Sequence, residues 1–499
     1  MDSKETQHGC AAEEQDFDVI IIGAGVAGVN ASYRLHTQAP PGTRFTVLET
    51  RDSMGGTWDL FRYPGVRSDS DIFSFGFAWS PWHRQELLAH GGDIKEYMIA
   101  AAKRAGIDGH FRYRHKVVAA NWISEERRWE LLVQEAGRQT PTVYRSRFIF
   151  LGTGYYNYEQ PRQTEIPGIA DFRGKVIHPQ FWPEDYDYTG KEMVVIGSGA
   201  TAVTIVPSVA DKVKKVTMLQ RSPTYIISLP NRSKVRDLLF ALLPSTVAHK
   251  ISRVWWIMFT YLVATICDRF PAAVRERIRR DNIRQLPEGY AWDPHFKPRY
   301  KPWEQRLCAC PDGDFFAAVR SSKAAVETDT IDTVTRDAVR LASGRSLPAD
   351  VIVTATGIQL LFAGGIRFSV DGGAPFDVAS KFVWNAAMIQ DLPNVVFALG
   401  YLKSGSWTLG VDCAARLLLR LMRELRARGA AVVTPRVDGD GDREMESIPF
   451  WAVLNSTYLK GSEDRFPQTS TGIWRNRDNY IKDMYAAKWG TLGTGLCFE

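Results

Sequence analysis

Short apolar runs, each closed by small residues, set the rhythm of this chain. In FDVIIIGAGVAGVNASYRL, from Phe17 to Leu35, a strand-type run turns through Gly23, Gly25 and Gly28 and continues in helix-forming residues. Strand, glycine turn, helix is the order that a dinucleotide fingerprint requires. The glycines let the backbone turn tightly and approach a pyrophosphate, whose charge meets the N-terminus of the helix. The next strand, FTVLE, ends in Glu49, 21 residues past Gly28, where a carboxylate can accept hydrogen bonds from both hydroxyls of an adenosine ribose. The pattern recurs in EMVVIGSGATAVTIVPSVA, with Gly197, Gly199 and Ala202 as GxGxxA, Ser198, Ala200 and Thr201 filling the turn, and VTMLQRSP as the following strand. This copy ends in Gln220 and Arg221 instead of an acid. A carboxylate there would repel a 2′-phosphate that an arginine binds, so the first site is assigned to FAD and the second to NADP.

Two further apolar strands, RFIFLGTGYY (Arg147 to Tyr156) and ADVIVTATGI (Ala349 to Ile358), end in a small-Thr-Gly turn of the kind that marks where a chain leaves one nucleotide domain for another. The predicted architecture is α/β, with two Rossmann-like dinucleotide-binding domains and a helical insertion. The FAD domain is expected at 1–160 and 380–499, the NADP domain at 165–230 and 303–379, and the insertion at 231–302. Two segments resist this scheme. FRGKVIHPQFWP, Phe172 to Pro183, is too rich in rings for a linker yet has neither the period of a strand nor that of a helix. VWWIMFTYLVATIC, from Val254 to Cys267, runs fourteen residues without a charge, short of the ~18 to 20 needed to cross a bilayer. It reads as a buried helix covering a cofactor or substrate cavity, with peripheral membrane contact as the alternative.

Composition narrows the partners. With 499 residues, 45% apolar and 24% charged, the chain can build two or three packed domains. The net charge of +6 is spread out, with no basic block of the kind that binds nucleic acid. Six scattered cysteines without a CxxC point to neither a disulfide framework nor a metal site. Cys308 and Cys310, on one face of a strand, read as packing residues. Reduced thiols and a polar N-terminus without a signal-peptide core lead to the expectation of a cytoplasmic protein.

Between the two fingerprints stands FxGxxxHxxxWP, matched by Phe172, Gly174, His178, Trp182 and Pro183, and with it the chain resembles the type I Baeyer-Villiger monooxygenases. MGGTWDLFRYPGVRSDSD, HPQFWPED, IGSGATAV, MLQRSPTYI and QLPEGY are most similar to the branch that contains the mycobacterial ethionamide-activating enzyme. The resemblance implies that His178 and Trp182 sit in a hinge between the FAD and NADP domains. It further implies that Gly55, Gly56, Thr57 and Trp58 approach the flavin nucleotide, that Arg67, Ser68 and Asp69 reach the space between flavin and nicotinamide, and that Val117 is another cofactor contact. The active-site arginine falls at Arg306, in YKPWEQRLCACPDGDFF, with Asp69 as its partner. In such enzymes a C4a-peroxyflavin attacks a ketone carbonyl and an ester or lactone results. One well-placed donor to the developing oxyanion contributes roughly 3 to 4 kcal/mol. Gln305 stands where many members have a lysine that assists with the 2′-phosphate, which implies a looser NADPH selectivity that rests more on Arg221. In GYLKSGSWTLG, Trp407 is a candidate for the substrate pocket. The implied partners are a small ketone or thioether and O2, with oxygenation at sulfur or nitrogen as the alternative reaction. A disulfide reductase lacks its CxxC here, and a non-enzymatic binding module would not retain both glycine turns.

Overall fold

The computed structural model describes residues 15–305, 307–401, 405–437, 445–452, 459 and 463–499. The first fingerprint strand, Asp16–Ile22, lies between Phe45–Glu49 and Thr142–Leu151, parallel to both. Val19 and Ile21 face one core cluster with helices Val26–Gln38 and Trp407–Arg428, while Ile20 and Ile22 face another. A strand covered on both faces needs a continuous apolar run, not alternation, and that is what the sequence carries. This sheet extends to Phe111–Tyr113 at one edge and, through Arg128–Glu135 and His115–Ile123, to Arg367–Val370 at the other.

The second sheet is wholly parallel, in the order Ala324–Thr328, Lys215–Gln220, Glu192–Ile196, Val351–Thr354 and Lys175–Ile177. Helix Ala200–Val209 covers one of its faces. Two sequence expectations shift here. The irregular segment around His178 contributes an edge strand, Lys175–Ile177, and a 3₁₀ turn, Pro179–Phe181, because pairing with Val351–Val353 overrides the missing period. The return to the first unit, expected at 380, is complete by Arg367, whose strand pairs with Ala119–Trp122 of the first sheet.

Between strands Ile226–Leu229 and Cys308–Pro311, which pair in parallel, stand helices Lys234–Leu242, Ser245–Arg269 and Pro271–Gln285. The long helix is not the buried apolar helix that its sequence suggested. It buries Ala248, His249, Ser252, Arg253, Ala264 and Cys267, leaves Trp255 64% exposed, and lines no part of the cavity described below. Its inner side is chosen by Arg253, whose guanidinium donates to the carbonyls of Phe73, Ser74 and Gly76 at 2.8, 3.0 and 2.7 Å. These carbonyls end the short helix Ile72–Phe75, where orphan acceptors demand donors. Among the described residues no single helix is long and apolar enough to cross a membrane. Cys308 and Cys310 pack in the second core, and burial pushes their thiols up to about 12 and about 11.

Candidate active site between the two glycine turns

Both fingerprint turns open on one cavity of about 490 Å³. Gly23 has φ +102°, and a Cβ on it would come within 2.7 Å of the Gly152 carbonyl oxygen. Gly197 has φ +138°, and there a Cβ would meet the Ala355 carbonyl oxygen at 2.2 Å. The two small-Thr-Gly turns therefore close directly onto the two fingerprints, and only glycine allows that approach. Gly28 lies beneath the cavity, where its missing side chain lets the helix settle on the carbonyl of Gly23.

On the side of the first fingerprint, Gly23, Gly25, Glu49, Gly56, Thr57 and Trp58 line the cavity. Glu49 is fixed by two backbone donors: its Oε2 accepts from the Ala24 N–H at 2.6 Å and its Oε1 from the Arg51 N–H at 2.8 Å. Burial raises its pKa, and these donors oppose the rise. The turn that carries Gly55 to Trp58 is held by Asp59, which takes charge-assisted hydrogen bonds from Arg51 Nε and Lys95 Nζ, both at 2.5 Å. Burial works against its charge, but Lys95, Arg51 and Ser53 outweigh it and lower the pKa. Val117 lines the far wall, next to a bulge in its strand.

Arg67, Ser68 and Asp69 also line the cavity, together with Gln305 and Cys308. Arg67 is committed to Asp314, with Nη1 to Oδ2 at 2.6 Å, and its side chain is only 5% exposed. Arg306, the expected partner of Asp69, lies outside the described residues.

From the second fingerprint, Gly199, Ala200 and Thr201 reach the same cavity. Gly197, Ser198 and Ala202 stand behind them, Ser198 donating from Oγ to the Ser222 carbonyl at 2.8 Å. Gln220 departs from its expected role as a nucleotide contact. It is buried, and its amide nitrogen donates to the His295 carbonyl at 2.7 Å and to Thr328 Oγ1 at 3.0 Å, so it braces the strand end instead. Arg221 is exposed and makes no ion pair among the described residues.

His178 and Trp182 do not line the cavity. The Nδ1 of His178 accepts from the Gln180 N–H at 3.2 Å, burial lowers its pKa, and the Gly357 backbone partly restores it. Trp182 is buried edge-on against Tyr188, ring centroids 5.9 Å apart. Between them Gln180, which sequence reasoning passed over, donates from Nε2 to the Asn157 carbonyl at 2.7 Å, and Asn157 Nδ2 donates to Gln359 Oε1 at 2.9 Å. The segment thus ties both chain crossings together. Tyr63 and Tyr158 were also missed. Tyr63 and Thr201 line the cavity from the two units, and Tyr158 Oη meets Thr57 Oγ1 at 3.3 Å; burial raises both phenols to about 12. Trp407 lines the cavity at the start of its helix, and its buried Nε1 has no hydrogen-bond partner among the described residues.

Comparison with known proteins fits this arrangement. The flavin-binding monooxygenase-like family model matches residues 81–248, and an NAD(P)-binding Rossmann-like domain matches residues 21–86. The FAD-containing monooxygenase EthA of Mycobacterium tuberculosis (strain ATCC 25618 / H37Rv) is 41% identical over 479 residues, 96% of each chain. The probable FAD-binding monooxygenase AlmA of Acinetobacter baylyi is 39% identical over 485 residues, 97% of this chain and 96% of that one. Among solved structures, an oxidized steroid monooxygenase bound to NADP superposes with a TM-score of 0.75 at 19% identity, and an open cyclohexanone monooxygenase with 0.74 at 17%. Each covers 97% of this chain and 99% of its own, a likeness of fold alone. On the identity to its relatives over nearly the whole length, the chain belongs to the flavin-binding monooxygenase-like family.

Proposed function

We propose that the chain is an FAD- and NADPH-dependent monooxygenase of the Baeyer-Villiger type, inserting one oxygen atom of O2 beside a ketone carbonyl to give an ester or lactone. The observation that carries this reading is the single cavity bounded by both glycine turns, with the Arg67–Asp69 loop between them. The residues fit both nucleotides. The cradle at Gly23 and Gly25, which a Cβ at Gly23 would fill, and the N-terminus of helix Val26–Gln38 suit the FAD pyrophosphate, and Glu49 suits its ribose. Gly199, Ala200 and Thr201 offer the same to NADP, and the uncompensated Arg221 suits its 2′-phosphate. The indole N–H of Trp407, without a hydrogen-bond partner among the described residues, offers a further donor in the wall.

When bound, the nicotinamide supplies a hydride and the flavin supplies activated oxygen. The chain's own work is orientation and charge. Thr57, Trp58 and Val117 shape the wall, which Tyr63 shares with Thr201 of the second glycine turn. Arg306 is assigned as the cation beside the oxygen that becomes negative at the carbonyl, and Asp69 as the carboxylate that holds it. The test is to incubate purified protein with NADPH, O2 and either a ketone or a thioether and to detect a one-oxygen gain by mass. Ester from the ketone supports the reading, whereas sulfoxide without ester moves it to S-oxygenation. Arg306→Ala should still have its flavin bleached by NADPH yet form no ester, and normal ester formation would remove Arg306 from the role.

A further inference from the structure

The insertion turns its polar side inward and its apolar side outward. Helix Ser245–Arg269 buries Arg253, His249 and Ser252, while Val247, Ile251, Val254, Trp255, Leu262 and Ile266 stand exposed along its other side. The preceding helix, Lys234–Leu242, exposes Val235, Leu238 and Leu242, and helix Tyr480–Trp489 exposes Ile481, Tyr485 and Trp489 one turn apart. Met258 and Tyr261 of the long helix line the same crevice as Tyr480 and Ile481, so the apolar surface runs without a break from the insertion to the C-terminal helix. A monomer in water rarely shows so extended an apolar surface without an occupant.

Charge identifies the occupant. Residues 231–285 hold eleven Lys and Arg against four Asp and Glu; Arg236 and Arg253 of these are buried, and the rest stand toward solvent or on the neighbouring helix Pro271–Gln285. Lys250 and Arg269 stand on the exposed side of the long helix at the two ends of its apolar stripe, Lys234 adjoins Val235, and Lys488 Nζ sits 5.1 Å from the Trp489 ring. Long basic side chains and Trp or Tyr rings around an apolar stripe match a headgroup layer, where stems and rings lie in the acyl boundary and charges reach lipid phosphates. A symmetric pairing with a second copy would set two faces framed by Lys234, Lys250, Arg269 and Lys488 against each other.

We propose that the outer sides of these three helices form a docking face for the headgroup layer of an anionic phospholipid bilayer. The chain lies on the membrane through this face. This is independent of the reaction type, because docking is read without turnover.

The flavin-loaded protein is mixed with vesicles of phosphatidylcholine alone or with about one-third phosphatidylglycerol, and the vesicles are sedimented. The protein should pellet with the anionic vesicles and be released by added salt. The double substitution Val254→Asp and Leu262→Asp, at positions 61% and 55% exposed, should weaken binding by ~tenfold or more with the flavin spectrum intact. Should that variant lose its flavin, Tyr485→Ser with Trp489→Ser tests the same face. Failure to pellet with anionic vesicles, undiminished binding by flavin-loaded variants, or a dimer that Val254→Asp with Leu262→Asp dissociates in light scattering would overturn the assignment; the last would give the face to a second copy.

Discussion

Asp412 is the residue on which the cavity's two supporting helices meet. Its Oδ1 takes 2.8 Å from Arg34 Nε and 3.1 Å from Asn30 Nδ2, its Oδ2 takes 2.9 Å from Arg416 Nε, and the side chain is nearly fully buried. Burial alone would raise its pKa, but Arg34 and Arg416 outweigh it and hold it at about 2, below the ordinary 3.8. A depressed carboxylate contributes stability that is complete above its unfolded pKa and is lost as pH falls through the folded one. A roughly 2 kcal/mol loss is therefore expected between about pH 4 and about pH 2, absent in Asp412→Asn, and urea titrations across that window check it. Asp412→Ala should cost ~3 to 5 kcal/mol by leaving two guanidinium groups without their shared partner. At Arg221, Arg221→Ala should raise KM for NADPH by roughly tenfold while leaving KM for NADH nearly unchanged; equal effects on both would remove the 2′-phosphate assignment. The tight turns at Gly23 and Gly197 and the place of Glu49 at its strand end were legible in the sequence because they follow from a turn and its immediate strand. Gln220 was not, since its partners His295 and Thr328 lie 75 and 108 residues away in the chain.

At the scale of elements, the segment Lys175–Phe181 shows what pattern reading captures and what it misses. Its prolines and rings marked it as constrained, and the structure adds the means: an edge strand, a 3₁₀ turn and the amide chain through Gln180, Asn157 and Gln359. His178→Ala is expected to lower kcat by roughly tenfold or more with only a small fall in Tm, since the residue lies outside the cavity and acts through the position of the crossings. Parallel loss of kcat and stability would make it a packing residue only. The long insertion helix was recognised as a helix, but burial was put ahead of the outward alternative, because an apolar run specifies a stripe without saying which way it turns. That choice is made by Arg253 and three carbonyls almost 180 residues upstream. Arg253→Ala should leave those carbonyls without their donor and loosen the loop after Asp69, read as faster amide hydrogen exchange over residues 69–77.

At the scale of the molecule, a unit with a mixed sheet and a unit with a parallel sheet share one cavity, so a nucleotide filling it touches both. FAD added to stripped protein should raise Tm by a few degrees, with about 2.7 kcal/mol gained at a hundredfold excess over Kd; an unchanged Tm would count against the cleft as a flavin site. Both fingerprint strands lie inside their sheets, as two Rossmann-like units require, but the early return of the chain at Arg367 was hidden, because a strand of four residues with one buried aromatic carries too little pattern to choose its sheet. The tie from Gln180 through Asn157 to Gln359 has its own outcome for the whole. With the crossings joined from Tyr155–Leu361 to Asn157–Gln359 and braced by Gln180, any shift of the second glycine turn is expected to carry the wall beside the first with it, so the two halves of the cleft should open together.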